Sequence, residues 1–419
     1  MNMVEMGKKA RNAARALALA PTGQKDAVLL CLADLLIDTA AEVLAENQKD
    51  LAAAGEKGLS GALLDRLTLN EARLHGIAAD LSAVASLPDP VGEVFDDATL
   101  PNALRVHKQR VPLGVLGVIY EARPNVTVDV AGLAIKTGNA AILRGGSETL
   151  HSNRILVSII QHALMENSLP MEAIQFVDDP DRARVYELLQ MYKTVDMIIP
   201  RGGAALHEFC RENSRIPVIT GGIGICHLFV DEGADLDASL EVIRNAKIQR
   251  PTVCNALDTA LVHRAVAAQF LPGLVDRLAQ DGVTFRADAS ALPYLGHPAH
   301  PAVNLAGPED FDTEWLSLVL GLRVVDSLDE AIDHISIHST GHSDGILTQD
   351  QNNARRFVAE VDSAAVYVNA STRFTDGGQL GLGAEVAVST QRLHARGPMG
   401  LRELTTYKWV IAGDYHTRP

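Results

Sequence analysis

The chain has 419 residues, 47% of them apolar and only 4% aromatic, which suits two or three domains with aliphatic cores. Its 52 acidic residues exceed its 37 basic ones, and the net charge of -15 excludes a nucleic-acid-binding surface. Anionic ligands are therefore expected in pockets lined by local arginines.

Cys31, Cys210, Cys226 and Cys254 are widely spread with no C-x-x-C pair. Neither a zinc framework nor a secreted disulfide scaffold fits that spacing, no metal site is expected, and a reducing cytoplasm is the expected location. The first residues, MNMVEMGKKARNAARALALA, place Lys8, Lys9, Arg11 and Arg15 among the apolar positions, so an amphipathic helix is expected in place of a signal peptide. No apolar run reaches the length of a membrane span.

In chain order, residues 1–87 read as helices, with Val28, Leu29, Leu32, Leu35 and Leu36 at helical spacing and Pro88-Asp89-Pro90 closing the segment. The period then changes: residues 104–111 alternate and 114–120 are an apolar strand pattern, predicting an extended ribbon. From residue 127 helices (127–137, 152–165, 182–191, 203–212) alternate with short apolar strands (139–143, 173–177, 195–199, 217–220, 227–230). That alternation predicts a parallel sheet covered on both faces, which binds ligands beyond the carboxyl ends of its strands.

Two of those strand ends carry glycines: Arg144-Gly145-Gly146-Ser147 and Arg201-Gly202-Gly203, the second opening a helix. Glycines allow close backbone approach, and a helix N-terminus offers N–H groups to an anion. Neither is a G-x-G-x-x-G fingerprint, so each reads as a tight turn or, taken together, as a nucleotide phosphate site.

A second α/β segment begins near Asp231, with a helix at 236–247, a strand around Leu261, a helix at 270–280 and strands at 322–325 and 364–368. Between its first helix and first strand lies Cys254, held by rigid elements on both sides without having to be buried, as a thiol nucleophile requires. Lys247 and Arg250 nearby would lower the thiol's ordinary pKa of about 8.5. The competing reading is a small buried hydrophobe. Loop 369–378 carries Arg373 among hydroxyl residues, either a carboxylate or phosphate clamp or a solvated loop. Cys31, Cys210 and Cys226 read as core residues. His297, His300, His334, His338 and His342 form no zinc-binding pattern and read as surface or loop histidines.

Together GVIYEARPNVT (117–127), KTGNAAILRGGSE (136–148), AKIQRPTVCNALDT (246–259), VNASTRFTDGG (368–378) and HARGPMGLRELTTYKW (394–409) resemble the gamma-glutamyl phosphate reductase family, within the aldehyde dehydrogenase superfamily. The match spans nearly the whole chain in the family's order. It implies an aldehyde dehydrogenase-like α/β fold with two parallel-sheet domains, one a Rossmann-like cofactor domain and one catalytic, plus a small β-ribbon for oligomerisation. The expected divisions are 1–98 and 119–230 for the cofactor domain, 231–384 for the catalytic domain, and 99–118 with 385–419 for the oligomerisation element.

The resemblance also implies the chemistry: NADPH-dependent reduction of L-glutamate 5-phosphate to L-glutamate 5-semialdehyde and phosphate, the second step of proline biosynthesis. Cys254 matches the nucleophile and Asn125 the amide that, with the Cys254 N–H, holds the oxyanion. Lys136 falls in the helix after Asn125. Arg144 stands where a lysine usually reaches the adenosine ribose, and Glu314 aligns with a glutamate that binds the nicotinamide ribose. Arg201, Gly202 and Gly203 match the turn beside the nicotinamide and pyrophosphate. Arg123 and Arg250 are candidates for holding the acyl phosphate, and Thr372 with Arg373 for the substrate α-carboxylate.

Two departures from the superfamily pattern bear on specificity. Hydrolytic relatives carry a glutamate just before a double glycine as general base; here residues 218–222 read VITGG, which favours a thioester that survives water. NAD-preferring relatives place a glutamate after the ribose-binding lysine. Here Ser147 takes that place without a gap, or Glu148 with one inserted residue, and Arg144 with a neutral Ser147 favours NADP. The alternatives are a hydrolytic aldehyde dehydrogenase for another small aldehyde and a non-catalytic relative. A homodimer or higher homo-oligomer is expected, and functional coupling to the glutamate 5-kinase that makes the labile substrate.

Overall fold

A computed structural model describes residues 2–59, 61–221, 223–296 and 300–418, so Gly222 and His297 lie outside the described residues. The chain divides into two compact units, Met1–Thr220 with Gly381–Ala387 and Met399–Pro419, and Gly221–Leu380 with Val388–Pro398.

The first unit opens with five helices: α1 (Met3–Leu17), α2 (Thr22–Asp38), α3 (Ala40–Glu56), α4 (Gly61–Leu67) and α5 (Glu71–Ser86). Asn2 caps α1 by accepting the Val4 and Glu5 N–H groups at 3.1 and 3.2 Å. At the other end of the run α5 stops at Leu87, which is extended, as expected of a residue preceding proline.

Next come β1 (Val94–Thr99) and β2 (Arg105–Pro112), then β3 (Val115–Tyr120), α6 (Asn125–Lys136), β4 (Ala140–Arg144), α7 (Leu150–Glu166), β5 (Ile174–Phe176), α8 (Ala183–Leu189), β6 (Met197–Arg201) and α9 (Ala204–Asn213). Strands β5-β4-β3-β6 form one parallel sheet. On one face α1, α8 and α9 bury Met3, Met6, Leu188 and Cys210 against Val115, Ile142 and Ile198. Each such aliphatic side chain contributes about 2 kcal/mol on burial. Helices α6 and α7 pack with α2, α3 and α5. The apolar run 217–220 makes only a bridge from Val218 to Ile198, because Pro217 has no N–H to extend a ladder.

The ribbon is a three-stranded antiparallel sheet in which β2 lies between β1 and the C-terminal strand Thr405–Ala412. A bulge between Phe95 and Ala98, with Asp96 at positive φ, interrupts the β1 edge. The C-terminal strand keeps unbroken register from Thr405↔Pro112 to Ala412↔Arg105.

In the second unit β7 (Cys226–Val230) is followed by α10 (Leu236–Ile248), β8 (Leu257–His263), α11 (Arg264–Gln280), β9 (Thr284–Ala287), β10 (Val303–Leu305), β11 (Val319–Val325), α12 (Leu328–His338), β12 (Ser343–Leu347), α13 (Gln351–Glu360) and β13 (Ala365–Val368). The seven strands form one parallel sheet, ordered β10-β9-β11-β8-β7-β12-β13. Thus β7, expected as the last strand of the cofactor-domain sheet, is instead an inner strand of the second, paired with β8 and β12. Among the described residues no helix is long and apolar enough to cross a membrane.

Candidate active site

In the second unit the site is built on the carboxyl end of α10 and the loop that follows. Asp235 caps the start of that helix through the Ala238 N–H. At its end Lys247 is fully buried and donates to the Leu257 carbonyl at 2.7 Å, with Asp258 at 3.6 Å. Lys247 therefore ties the last turn of α10 to the first residues of β8, and the segment between is a closed loop with Cys254 half-buried in it. Burial pushes the Lys247 ammonium below its ordinary value, Asp258 opposing, and pushes Asp258 up to about 6, Lys247 opposing. The lysine expected to act on the nucleophilic thiol is thus a strut beneath its loop.

The loop is braced from two further sides. The Cys226 thiol, at the start of β7, donates to the Cys254 carbonyl at 3.2 Å. Gly224 lies so close that a Cβ there would overlap the same carbonyl oxygen, so only glycine fits. The Gly224 N–H donates to Glu314 at 2.9 Å, and burial raises the Glu314 carboxyl above its ordinary value despite that bond.

On the other side the turn Thr372–Phe374 is stapled to residue 255. The buried Thr372 hydroxyl donates to the Asn255 carbonyl at 2.7 Å, and the Asn255 amide donates to the Thr375 carbonyl at 2.9 Å. Arg373 is half-buried, its Nε donating to Gln249 at 2.8 Å. Burial lowers its pKa, and the Arg250 guanidinium lowers it further, while Asp376 and Cys254 pull the other way. Two expected substrate arginines are therefore neighbours in the field of the candidate nucleophile. Thr372 needs a correction: its side chain is buried and committed to the loop, so it positions Arg373 and presents nothing to a ligand.

In the first unit Asn125 is the first residue of α6, and its amide nitrogen donates to Asp129 one turn later at 3.0 Å. Burial raises the Asp129 carboxyl to about 7, with Asp80 adding to the rise and Asn125 and Arg201 opposing it. Arg123 is exposed in the turn before α6.

The glycine turns follow β4 and β6 as expected. Arg144 is buried, donating to the carbonyls of Gly145 at 2.9 Å and Pro180 at 2.8 Å. It shapes the Gly145-Gly146 turn from below, a correction to its expected reach toward a ribose. Ser147 is exposed and donates to the Glu148 carboxylate at 3.1 Å. After Arg201, a Cβ on Gly202 would meet the Glu121 carboxyl at 2.6 Å, and the Gly203 N–H donates to Glu121 at 3.2 Å. Gly203 itself has open space beside it, and α9 starts there without a side-chain cap.

Lys136 is a second correction among the expected cofactor residues. It is fully buried, donating to Asp26 at 2.5 Å and to the Ala85 carbonyl at 2.7 Å, so it anchors α6 to α2 and α5. The helical spacing could not show this, because its partners lie far away in sequence. Glu121, Asp129 and Gly224 were missed; the only signals were their places inside EARPNVTVD and TGGIG. The histidine expectation also changes: His334 and His342 are buried, and the His334 ring lies 5.3 Å from His227 and 4.3 Å from His338. Among the described residues no group of His, Cys, Asp and Glu side chains is arranged to hold a metal. A cavity of ≈ 850 Å³ in the first unit, lined by Arg11, Arg15, Arg110, Lys193 and Lys408, includes none of the expected site residues.

The aldehyde dehydrogenase family model matches residues 2–289. A gamma-glutamyl phosphate reductase of Aeromonas salmonicida is 60% identical over 417 residues, 99% of this chain and 99% of its own. One from Roseiflexus castenholzii is 58% identical over 421 residues, 100% of this chain and 99% of its own. The crystal structure of gamma-glutamyl phosphate reductase from Thermotoga maritima superposes with a TM-score of 0.97 at 46% identity, covering 100% of both chains.

Proposed function

We propose, because this chain belongs to the gamma-glutamyl phosphate reductase family of the aldehyde dehydrogenases, that it reduces L-glutamate 5-phosphate to L-glutamate 5-semialdehyde and phosphate through a thioester on Cys254. The observation that carries this reading is the hydrogen bond from Arg373 to Gln249 at 2.8 Å, which holds its guanidinium beside Arg250 at the loop that carries Cys254. Two guanidiniums there suit a substrate with an anion at each end, a phosphate and an α-carboxylate.

The Cys254 thiolate attacks the acyl carbon; the C–O bond to phosphate breaks and phosphate leaves with its electron pair. The family resemblance assigns Asn125 and the Cys254 N–H as donors to the oxyanion that forms, each donor contributing about 3 kcal/mol. A nicotinamide cofactor, when bound, would supply the hydride that reduces the thioester carbon, and Cys254 would be the group that departs as thiolate. Arg250 is the candidate for holding the phosphate and Arg373 for holding the α-carboxylate. Residues 218–221 carry no carboxylate, which supports a thioester protected from hydrolysis.

The cofactor fits the first unit on two observations: glycine turns follow β4 and β6, the two strands that flank β3 in the parallel sheet, and Gly203 is open at an uncapped helix start. Gly145, Gly146, Ser147, Arg201, Gly202 and Gly203 would line it, and the family resemblance assigns Glu314 to the nicotinamide ribose. NADPH is preferred over NADH because Ser147 is neutral and exposed, and because exposed Arg182 lies near enough to Arg144 to lower its pKa. The exposed Arg182 guanidinium favours a 2'-phosphate, while Glu148 beside Ser147 limits the margin.

Intact-protein mass spectrometry tests this mechanism. Enzyme mixed with glutamate semialdehyde and NADP without phosphate should gain a glutamyl adduct that maps to Cys254, and Cys254→Ala should gain none. An adduct on another side chain would refute it.

A further inference from the structure

We propose that Asp129 is a positioning residue for the oxyanion donor, fixing the Asn125 side chain so that its amide nitrogen, and not its carbonyl oxygen, is presented for catalysis. This rests on the assignment of Asn125 as that donor.

Asparagine's two ends are nearly the same shape, and only the nitrogen can stabilise an oxyanion. Something must choose between them. Asn125 opens α6 and Asp129 lies four residues on, so the two share a helix face and meet at 3.0 Å, Asn125 Nδ2 to Asp129 Oδ2. An ionised carboxylate only accepts, so it holds the amide nitrogen and repels the carbonyl oxygen. One N–H is then spent on Asp129 and the other keeps a fixed direction. The carboxylate itself is partly buried on a helix whose neighbours on either side, Val128 and Val130, are fully enclosed.

The surroundings make this grip depend on pH. The charged groups acting on Asp129 are Asp80 on α5 and Arg201 at the end of β6, and with burial they leave its carboxyl titrating at about 7. Above that pH it accepts from the Asn125 nitrogen. Below it, the protonated acid can donate to the Asn125 oxygen instead, and the amide loses its single orientation.

The test is a pH profile of kcat for phosphate-dependent semialdehyde oxidation in wild type, Asp129→Asn, Asn125→Ala and the double variant, with melting temperatures as a check on folding. The wild type should lose kcat below an apparent pKa near 7. Asp129→Asn should lower kcat about 10-fold at pH 8, leave substrate KM within about 2-fold, and abolish that limb. Asn125→Ala should cost about 100- to 1,000-fold, and the double variant no more than Asn125→Ala alone. An Asp129→Asn enzyme with wild-type kcat and an intact acid limb would overturn the proposal, as would losses that multiply in the double variant. Should Asp129→Asn fail to fold, Asp129→Glu serves in its place: a restored kcat with a shifted limb supports the proposal and an unshifted limb overturns it. A wild-type enzyme with no phosphate-dependent turnover would instead overturn the underlying functional reading.

Discussion

Single residues divide by how local their signal is. Cys254 and Arg373 could be picked out because each stands in a polar loop between regular elements, where a reactive or charged side chain need not be buried. Lys136 and Thr372 could not be read correctly, since what fixes them is a partner more than a hundred residues away, Asp26 or Asn255. The buried histidines were misread for the same reason. His334 is enclosed, with both ring nitrogens lacking a partner among the described residues, and burial together with His227 and His338 lowers its pKa to about 2. In the unfolded chain the same group titrates near 6.5. Its folded form refuses a proton that the unfolded form accepts, so stability is intact above about pH 6.5 and is lost as pH falls below it. The penalty reaches about 2 kcal/mol by pH 5. His334→Phe should therefore narrow the difference in unfolding free energy between pH 7.5 and pH 5 by about that amount in urea titrations; an unchanged difference would show that His334 does not carry it.

Among the elements, the helices of the first unit, α10, α11 and the apolar strands β3, β4 and β8 were legible from period alone, whereas α12 and α13 were not. Strands β9, β10 and β12 were not. Two are only three or four residues long, and β12 reads Ser-Asp-Gly-Ile-Leu, a turn composition that becomes a buried strand because Asp344 is satisfied by the His227 N–H and the Ser339 and Ser363 hydroxyls. The loop carrying the nucleophile is closed by Lys247 at its own base and is otherwise set by elements it does not adjoin in sequence: Thr372 on one side, Gly224 on another. Gly224→Ala puts a methyl group where the Cys254 carbonyl now lies, so the loop must shift. A displacement of about 1 Å at a reacting group costs on the order of 100-fold. That variant should stay folded by circular dichroism yet lose about that much kcat, and near-normal turnover would show that the loop tolerates movement.

At the level of the whole molecule, composition and alternation were enough for an α/β chain with a ribbon, and the aldehyde dehydrogenase-like fold follows from family membership. Which strands join which sheet was not legible, because a parallel sheet orders its strands through crossovers that leave no trace in local pattern. The ribbon bears on assembly. Its C-terminal strand is an unbulged edge exposing Tyr407, Trp409 and Ile411 at 47, 55 and 63%, a surface that sheet proteins ordinarily cover. Pairing of that edge with a second copy would do so, and Trp409→Glu with Ile411→Glu should convert the oligomer to monomer in light scattering, whereas an unchanged mass would place the interface elsewhere.

The chemistry proposed for the whole chain requires an acyl group on Cys254 that water does not release and phosphate does. Steady-state oxidation of glutamate semialdehyde, followed by NADP reduction with and without phosphate, measures this directly. Turnover should rise with phosphate from near zero and yield glutamate 5-phosphate; sustained turnover without phosphate, yielding glutamate, would contradict it.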